Sequence, residues 1–342
     1  MKVCRVDPLV DSRWDAFVER HPSGSVFHTT AWMKALRLTY HYEPVVYALE
    51  NQTQLVGGIP FCVVRSRITG RRLVSLPFSD YCQPLISNEA ELEELISAAE
   101  QDARRERFKY VEIRPLVLQA TTLANSNSVV VHSLDISRSE ADLLKSFHGD
   151  CIRRKISRLE HEELRYEEGR SAELLGMFYR LLLPTRRRHR IPPQPIDWFQ
   201  NVIDCLGEGV TIRVALKDDR PIASVLNLSF KNTLVNKYNC SDPTFKTIPA
   251  TILLHWKAIQ AAKARGISEF NLGRSDYDNP GLIAFKDHWG AARIPVNYYR
   301  CPAPHPQSES TSRLAGAAKR LLVSVPDPLF VAFGRLMYRH VG

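Results

Sequence analysis

The chain has 342 residues, 44% of them hydrophobic and 24% charged, which is a globular composition and long enough for two ordinary domains with their own cores. No apolar run approaches the roughly 20 residues a membrane-spanning helix needs, and the opening Met1, Lys2, Val3, Cys4, Arg5 has no apolar signal segment, so a cytoplasmic protein is expected. The seven cysteines form no CxxC pair and no Cys/His cluster of zinc spacing, so reduced thiols and no metal are expected, while the net charge of +9 favours anionic partners such as nucleic acid, phosphate-rich cofactors or an anionic membrane surface.

In chain order, residues 45–50 read as a strand, Asn51 and Gln52 as a turn, 55–64 as a second strand and 73–78 as a third. A helix over about 89–107 leads to a strand at 110–114. A polar stretch over 126–139, around a short strand at 129–131, marks a join and sets a first domain at 1–135. Beyond it, Val210, Ile212, Val214 and Leu216 alternate with other residues as in a half-buried strand. Asp218, Asp219, Arg220 and Pro221 supply a turn into a strand at 222–230, and Lys231 with Asn232 a hairpin into one at 233–239. A helix over 250–265 carries Ile252, Leu253, Trp256 and Ile259 on one face and stops at Gly266. The last strand, 269–273, runs into Arg274, Ser275 and Asp276.

Strand, turn, strand, strand, helix, strand thus occurs twice, which implies two similar domains, the second over 136–302. Residues 303–342 follow as a proline-rich linker and a basic amphipathic tail, in which Pro326 and Pro328 predict two short helices. Leu314, Leu321, Leu329, Phe330 and Phe333 lie there among Arg313, Lys319, Arg335 and Arg339, so 313–342 suits either a membrane surface or the body of the protein.

The segment Phe270, Asn271, Leu272, Gly273, Arg274, Ser275, followed by Gly281, Leu282, Phe285, Lys286, Trp289 and Gly290, resembles the FemAB-like branch of the GNAT acyltransferases, including the acetyltransferase-like proteins associated with exopolysaccharide and exosortase systems. In the first half, Val26 to Trp32 and Leu76 to Tyr81 are similar to that family's N-terminal features, so the resemblance spans about residues 20 to 300. It implies an α/β (α+β) fold of two tandem GNAT-like domains, each a mixed, mainly antiparallel sheet flanked by helices. It also implies transfer of an acyl or aminoacyl group to an amine, from acyl-CoA or aminoacyl-tRNA, onto a glycan or lipid-linked acceptor. The glycine-rich phosphate loop usual for CoA enzymes is missing: residues 241–249 hold no glycine, and Lys246 is the cation left there.

Acyl transfer to an amine needs a deprotonated amine, a stabilised oxyanion and a protonated or weakly basic leaving group. Lys286 is the first choice for a catalytic cation, with Lys286→Ala expected to leave the fold intact. Asp276 and Asp242 are general-base candidates, set against deprotonation by solvent. Arg274, Ser275, Trp289, Tyr238 and Asn239 are substrate-binding candidates, Trp289 as a stacking wall or a core residue and Tyr238 as an acceptor guide or a core tyrosine. His255 reads as structural. Two basic clusters, Arg153, Arg154, Lys155 and Arg158, and Arg186, Arg187, Arg188, His189 and Arg190, are candidates for holding the phosphates of tRNA, CoA or a lipid diphosphate. The rival readings are an aminoacyl-tRNA-dependent transferase of the peptidoglycan bridge and a non-catalytic binding module of exopolysaccharide assembly.

Overall fold

A computed structural model describes residues 1–117, 124–302 and 325–341. The chain divides into two compact units. Among the described residues the first comprises 1–117, 124–129, 295–302 and 336–341, the second 130–294 and 325–335.

The first unit begins with β1 (Lys2–Val6), α1 (Arg13–Arg20) and α2 (Thr30–Tyr40). Strands β2 (Glu43–Asn51), β3 (Gln54–Ser66) and β4 (Gly70–Val74) form a meander, and α3 (Glu89–Arg105) leads to β5 (Val111–Ile113). β1 to β4 pair antiparallel in sequence order, and β4 pairs parallel with β5. Helix α3 starts where the Asn88 side chain accepts from Glu91 N–H, and it carries Glu89 and Glu91 in its first turn and Arg104 and Arg105 in its last, matching the helix dipole. Its apolar row, Leu92, Leu95, Ala99 and Ala103, packs on Tyr47, Phe61, Leu73 and Ile113 of the sheet. The strand expected over 73–78 stops at Val74, because Leu76 and Phe78 take positive φ values of 40° and 62° and turn the chain away.

The second unit takes the end of β6 (Ala124–Asp135), then α4 (Glu140–Ser146), a π-helical turn (Gly149–Arg153), α5 (Arg154–Glu160), β7 (Arg165–Gly169), α6 (Ala172–Arg188) and α7 (Ile196–Leu206). The meander β8 (Val210–Lys217), β9 (Arg220–Phe230) and β10 (Thr233–Ser241) follows, with α8 (Ala250–Ala264), β11 (Glu269–Asp276) and α9 (Pro280–Asp287) after it. β7 to β10 pair antiparallel in order and β10 pairs parallel with β11, which repeats the pairing scheme of the first unit. α8 is buried along most of its surface, and Trp256 and Ile259 share a core with Ile156, Phe270 and Trp289.

The join differs from expectation. It is a full strand, β6, because Val129, Val130, Val131 and Leu134 are all buried. β12 (Ala292–Cys301) was not foreseen. Its end pairs with β5 through Tyr299 and Cys301, so residues 295–302 group with the first unit. In the tail, the expected residues Arg313, Leu314, Lys319, Arg320, Leu321 and Leu322 lie outside the described residues, as does the linker from 303. The rest forms a single helix, α10 (Asp327–Val341), with Pro328 in its first turn, where a missing N–H costs no intrahelical bond. Among the described residues no helix is long and apolar enough to cross a membrane.

Candidate functional site

The chemistry-bearing residues of the second unit gather where β10 and β11 stop pairing. Their parallel register covers residues 233–235 of β10 and 269–271 of β11, yet β10 continues to Ser241 and β11 to Asp276. The register between β10 and β9 shifts between Asn236 and Tyr238, leaving Lys237 in a bulge that bends β10. On β11 the regular pattern is replaced locally: Gly273 has φ +75°, its N–H donates to Asn271 Oδ1 at 2.8 Å, and Lys286 Nζ donates to the carbonyls of Gly273 and Arg274, both at 2.8 Å. Only glycine takes that backbone conformation without steric cost.

Lys286 is therefore buried, not a surface lysine, and its ammonium ties the end of β11 to α9. Two carbonyls would lose their donor in Lys286→Ala, so a cost in stability is now expected of that variant. Burial and the nearby Lys286 ammonium push the His255 imidazole down to about 3, so it is neutral at physiological pH. Its Nε2 lies 2.8 Å from Asn239 Oδ1, which links α8 to the exposed end of β10, and its Nδ1 is buried without a hydrogen-bond partner among the described residues. Asn239, Arg274 and Asp276 are exposed at the ends of the two strands, with Arg274 and Asp276 3.7 Å apart. Ser275, between them, is buried and its hydroxyl has no hydrogen-bond partner among the described residues.

The structure places three further candidates. Trp289 is fully buried, 5.0 Å from the Phe147 ring and 5.6 Å from His255, so it is a core residue and not an open stacking wall. Gly290 follows it at φ +72°, where a Cβ would lie 3.3 Å from Ser146 O. Asp242 caps the short turn after β10: burial works to raise its pKa, but hydrogen bonds from Thr244 and Arg220 hold the carboxyl below the ordinary range, the opposite of what a base near neutrality needs. Tyr238 is buried and its hydroxyl is taken up by Gln194 at 2.7 Å and Trp198 at 3.0 Å, so it builds the core.

A cavity of about 400 Å³ opens at the start of α8, lined by Cys151 and Lys155, by Pro249, Thr251 and Ile252, and by Gly281, Ala284, Phe285 and His288. α8 has no side-chain cap and no acidic residue in its first turn, so its positive end is uncompensated. Of the first basic cluster, Lys155 reaches this cavity, while Arg153 and Arg154 are exposed and Arg158 donates to Thr247 O at 3.1 Å, fixing the loop before α8. Lys246 is exposed on that loop. In the second cluster, Arg188 is exposed, but Arg187 pairs with Asp327 at 2.6 Å and lies 4.5 Å from the centre of the buried Phe330 ring, so it holds the start of α10 and is not an open phosphate ligand. Sequence reading missed the grouping of His148, Cys151 and His288, whose ligand atoms lie within 4.8 Å of one another. The i, i+3 spacing of His148 and Cys151 was the available signal; the partner His288 sits on a distant element.

Residues 150–287 match the family model described as an acetyltransferase (GNAT) domain. No curated protein sequence matches the chain. Among solved structures, FemX superposes with a TM-score of 0.68 at 15% identity, over 87% of this chain and 97% of that one. A tandem GNAT protein from the clavulanic acid biosynthesis pathway gives 0.57 at 10% identity, over 89% and 99%. The C-terminal domain named for a lysylphosphatidylglycerol synthetase, from Agrobacterium fabrum, gives 0.57 at 14% identity, over 92% and 96%. Residues 150–287 thus match a GNAT acetyltransferase domain, and the chain shares its fold with FemX and with the tandem GNAT protein.

Proposed function

We propose that the chain is an N-acyltransferase that moves an acyl or aminoacyl group from acyl-CoA or aminoacyl-tRNA onto an amine of a cell-envelope glycan or of its lipid-linked precursor. The observation that carries this reading is the end of β10–β11 pairing at residues 235 and 271, next in the chain to the uncompensated start of α8 and its cavity of about 400 Å³. Strand ends that no longer pair leave backbone N–H groups for an acyl carbonyl, and these are the donors an oxyanion requires. The start of α8 with Lys155 suits the phosphate of a donor. Lys286 then serves by holding β11 in its bent course, since its ammonium is already engaged by two carbonyls. Asp276 remains as the carboxylate candidate for the amine proton, with Arg274 beside it and Asn239 exposed towards the end of β10 for the acceptor.

The likeness to a domain named for a lysylphosphatidylglycerol synthetase favours the reading with an aminoacyl donor and a lipid-borne acceptor, and a tRNA donor would draw on the exposed Arg153, Arg154 and Arg188. The exposed Leu329, Phe333 and Leu336 of α10, beside Arg335 and Arg339, suit contact with an anionic membrane at its inner face. The deciding experiment incubates the purified chain with labelled acetyl-CoA, longer acyl-CoAs or charged tRNAs and with amino sugars or lipid-linked muropeptides. Turnover with a CoA donor supports the first donor and turnover only with charged tRNA the second. Failure of every donor with a folded chain refutes the enzyme reading in favour of a binding module.

A further inference from the structure

We propose that His148, Cys151 and His288 form a binding site for a borderline transition metal, zinc above all, at the wall of the cavity beside α8. The ligand atoms of the three lie within 4.8 Å of one another, a spacing that one ion can close by small side-chain rotations. The scaffold already holds the two segments together: His148 N–H donates to His288 O at 2.8 Å, and the two imidazoles stand 4.6 Å apart, centre to centre. Gly290, fixed by its own backbone conformation, and the buried Trp289 anchor the His288 end, while Cys151 packs against the same core. One thiolate and two imidazoles select zinc, cobalt(II) or copper over magnesium and calcium, which prefer oxygen.

Three protein ligands leave one coordination position open, as in metal sites that accept an exchangeable ligand. Cys151 and His288 both line the cavity, and so does Lys155, so an anionic or thiol group in the cavity is the natural fourth ligand. The ligands are unequal. His148 Nδ1 accepts the Cys151 N–H at 3.2 Å and caps the turn Gly149–Arg153, so a metal has to compete with that cap for the ring's lone pair. Cys151 and His288 therefore carry most of the affinity, with His148 as the weaker third ligand. This inference does not rest on acyl transfer and survives if the donor screen fails.

The test titrates the reduced full chain with cobalt(II). The expected result is one equivalent bound with a thiolate-to-cobalt charge-transfer band, bleached when zinc displaces the cobalt. Cys151→Ser should abolish the band, His288→Asn should weaken binding by about 10–100-fold, and His148→Asn, which keeps the cap, by less. Cys205→Ser, on α7, should change nothing. A second measurement needs no substitution: zinc should slow alkylation of Cys151 in the unaltered chain, mapped by peptide. Absence of a stoichiometric site, a band that persists in Cys151→Ser, or alkylation of Cys151 at the same rate with and without zinc overturns the proposal.

Discussion

Lys286 is the position at which fold and chemistry are most tightly joined, and its ammonium can be removed while its buried stem is kept. In Lys286→Met the carbonyls of Gly273 and Arg274 lose donors now at 2.8 Å. Hydrogen bonds to a charged group contribute about 1.5–3 kcal/mol each. Part of that is offset because the mutant no longer desolvates an ammonium, so a net loss of about 2–4 kcal/mol is expected. Lys286→Ala also deletes about three buried methylenes, at about 0.8 kcal/mol each, and leaves a cavity, which raises the loss to about 4–6 kcal/mol. The assay is urea unfolding at neutral pH followed by tryptophan fluorescence, to which Trp256 and Trp289 report from the same core. The second unit should unfold at lower urea in the order Lys286→Ala, Lys286→Met, unaltered chain. If Lys286→Ala unfolds within about 1 kcal/mol of the unaltered chain, the ammonium does not hold β11, and the catalytic role read from sequence regains its force.

Other outcomes follow from the same site. The folded His255 pKa of about 3 lies below its unfolded value, so the unfolded chain binds the extra proton: stability should fall as pH drops from about 6.5 toward 3, by up to about 2 kcal/mol at pH 5, and His255→Phe should flatten that limb in acid-denaturation curves. Asp242→Asn should leave turnover and its pH profile unchanged and lower stability by at most about 1 kcal/mol, through the lost ion pair with Arg220, since asparagine keeps the cap; loss of activity in that variant would restore Asp242 as a base. Phe330→Ala should cost about 3–5 kcal/mol where α10 packs, and Arg187→Ala less, both read as faster proteolysis of the tail.

The repeated meander was legible because each β-strand writes its own alternation and each hairpin its own turn: Gln52, Asp218, Asp219 and Lys231 all take the positive φ those turns need. Helices α3 and α8 were legible within a residue or two, since their caps and stops are local. β6 was legible only at 129–131 and β12 was missed, because their partners lie far along the chain and polar residues fill the rest of β6 and flank the buried Val296 and Tyr298. The site was less legible than the fold for one physical reason. Whether a charged or aromatic side chain acts on a substrate depends on what already occupies it. The carbonyls that engage Lys286, the Gln194 that engages Tyr238 and the Asp327 that engages Arg187 are all tertiary partners. What these partners leave exposed at the strand ends is Asn239, Arg274 and Asp276, while Lys155 of α5 lines the cavity at the start of α8. Under the proposed acyl transfer, backbone donors on a bent strand pair carry most of the chemistry, and substitutions in the first rank of sequence candidates should change stability before they change specificity.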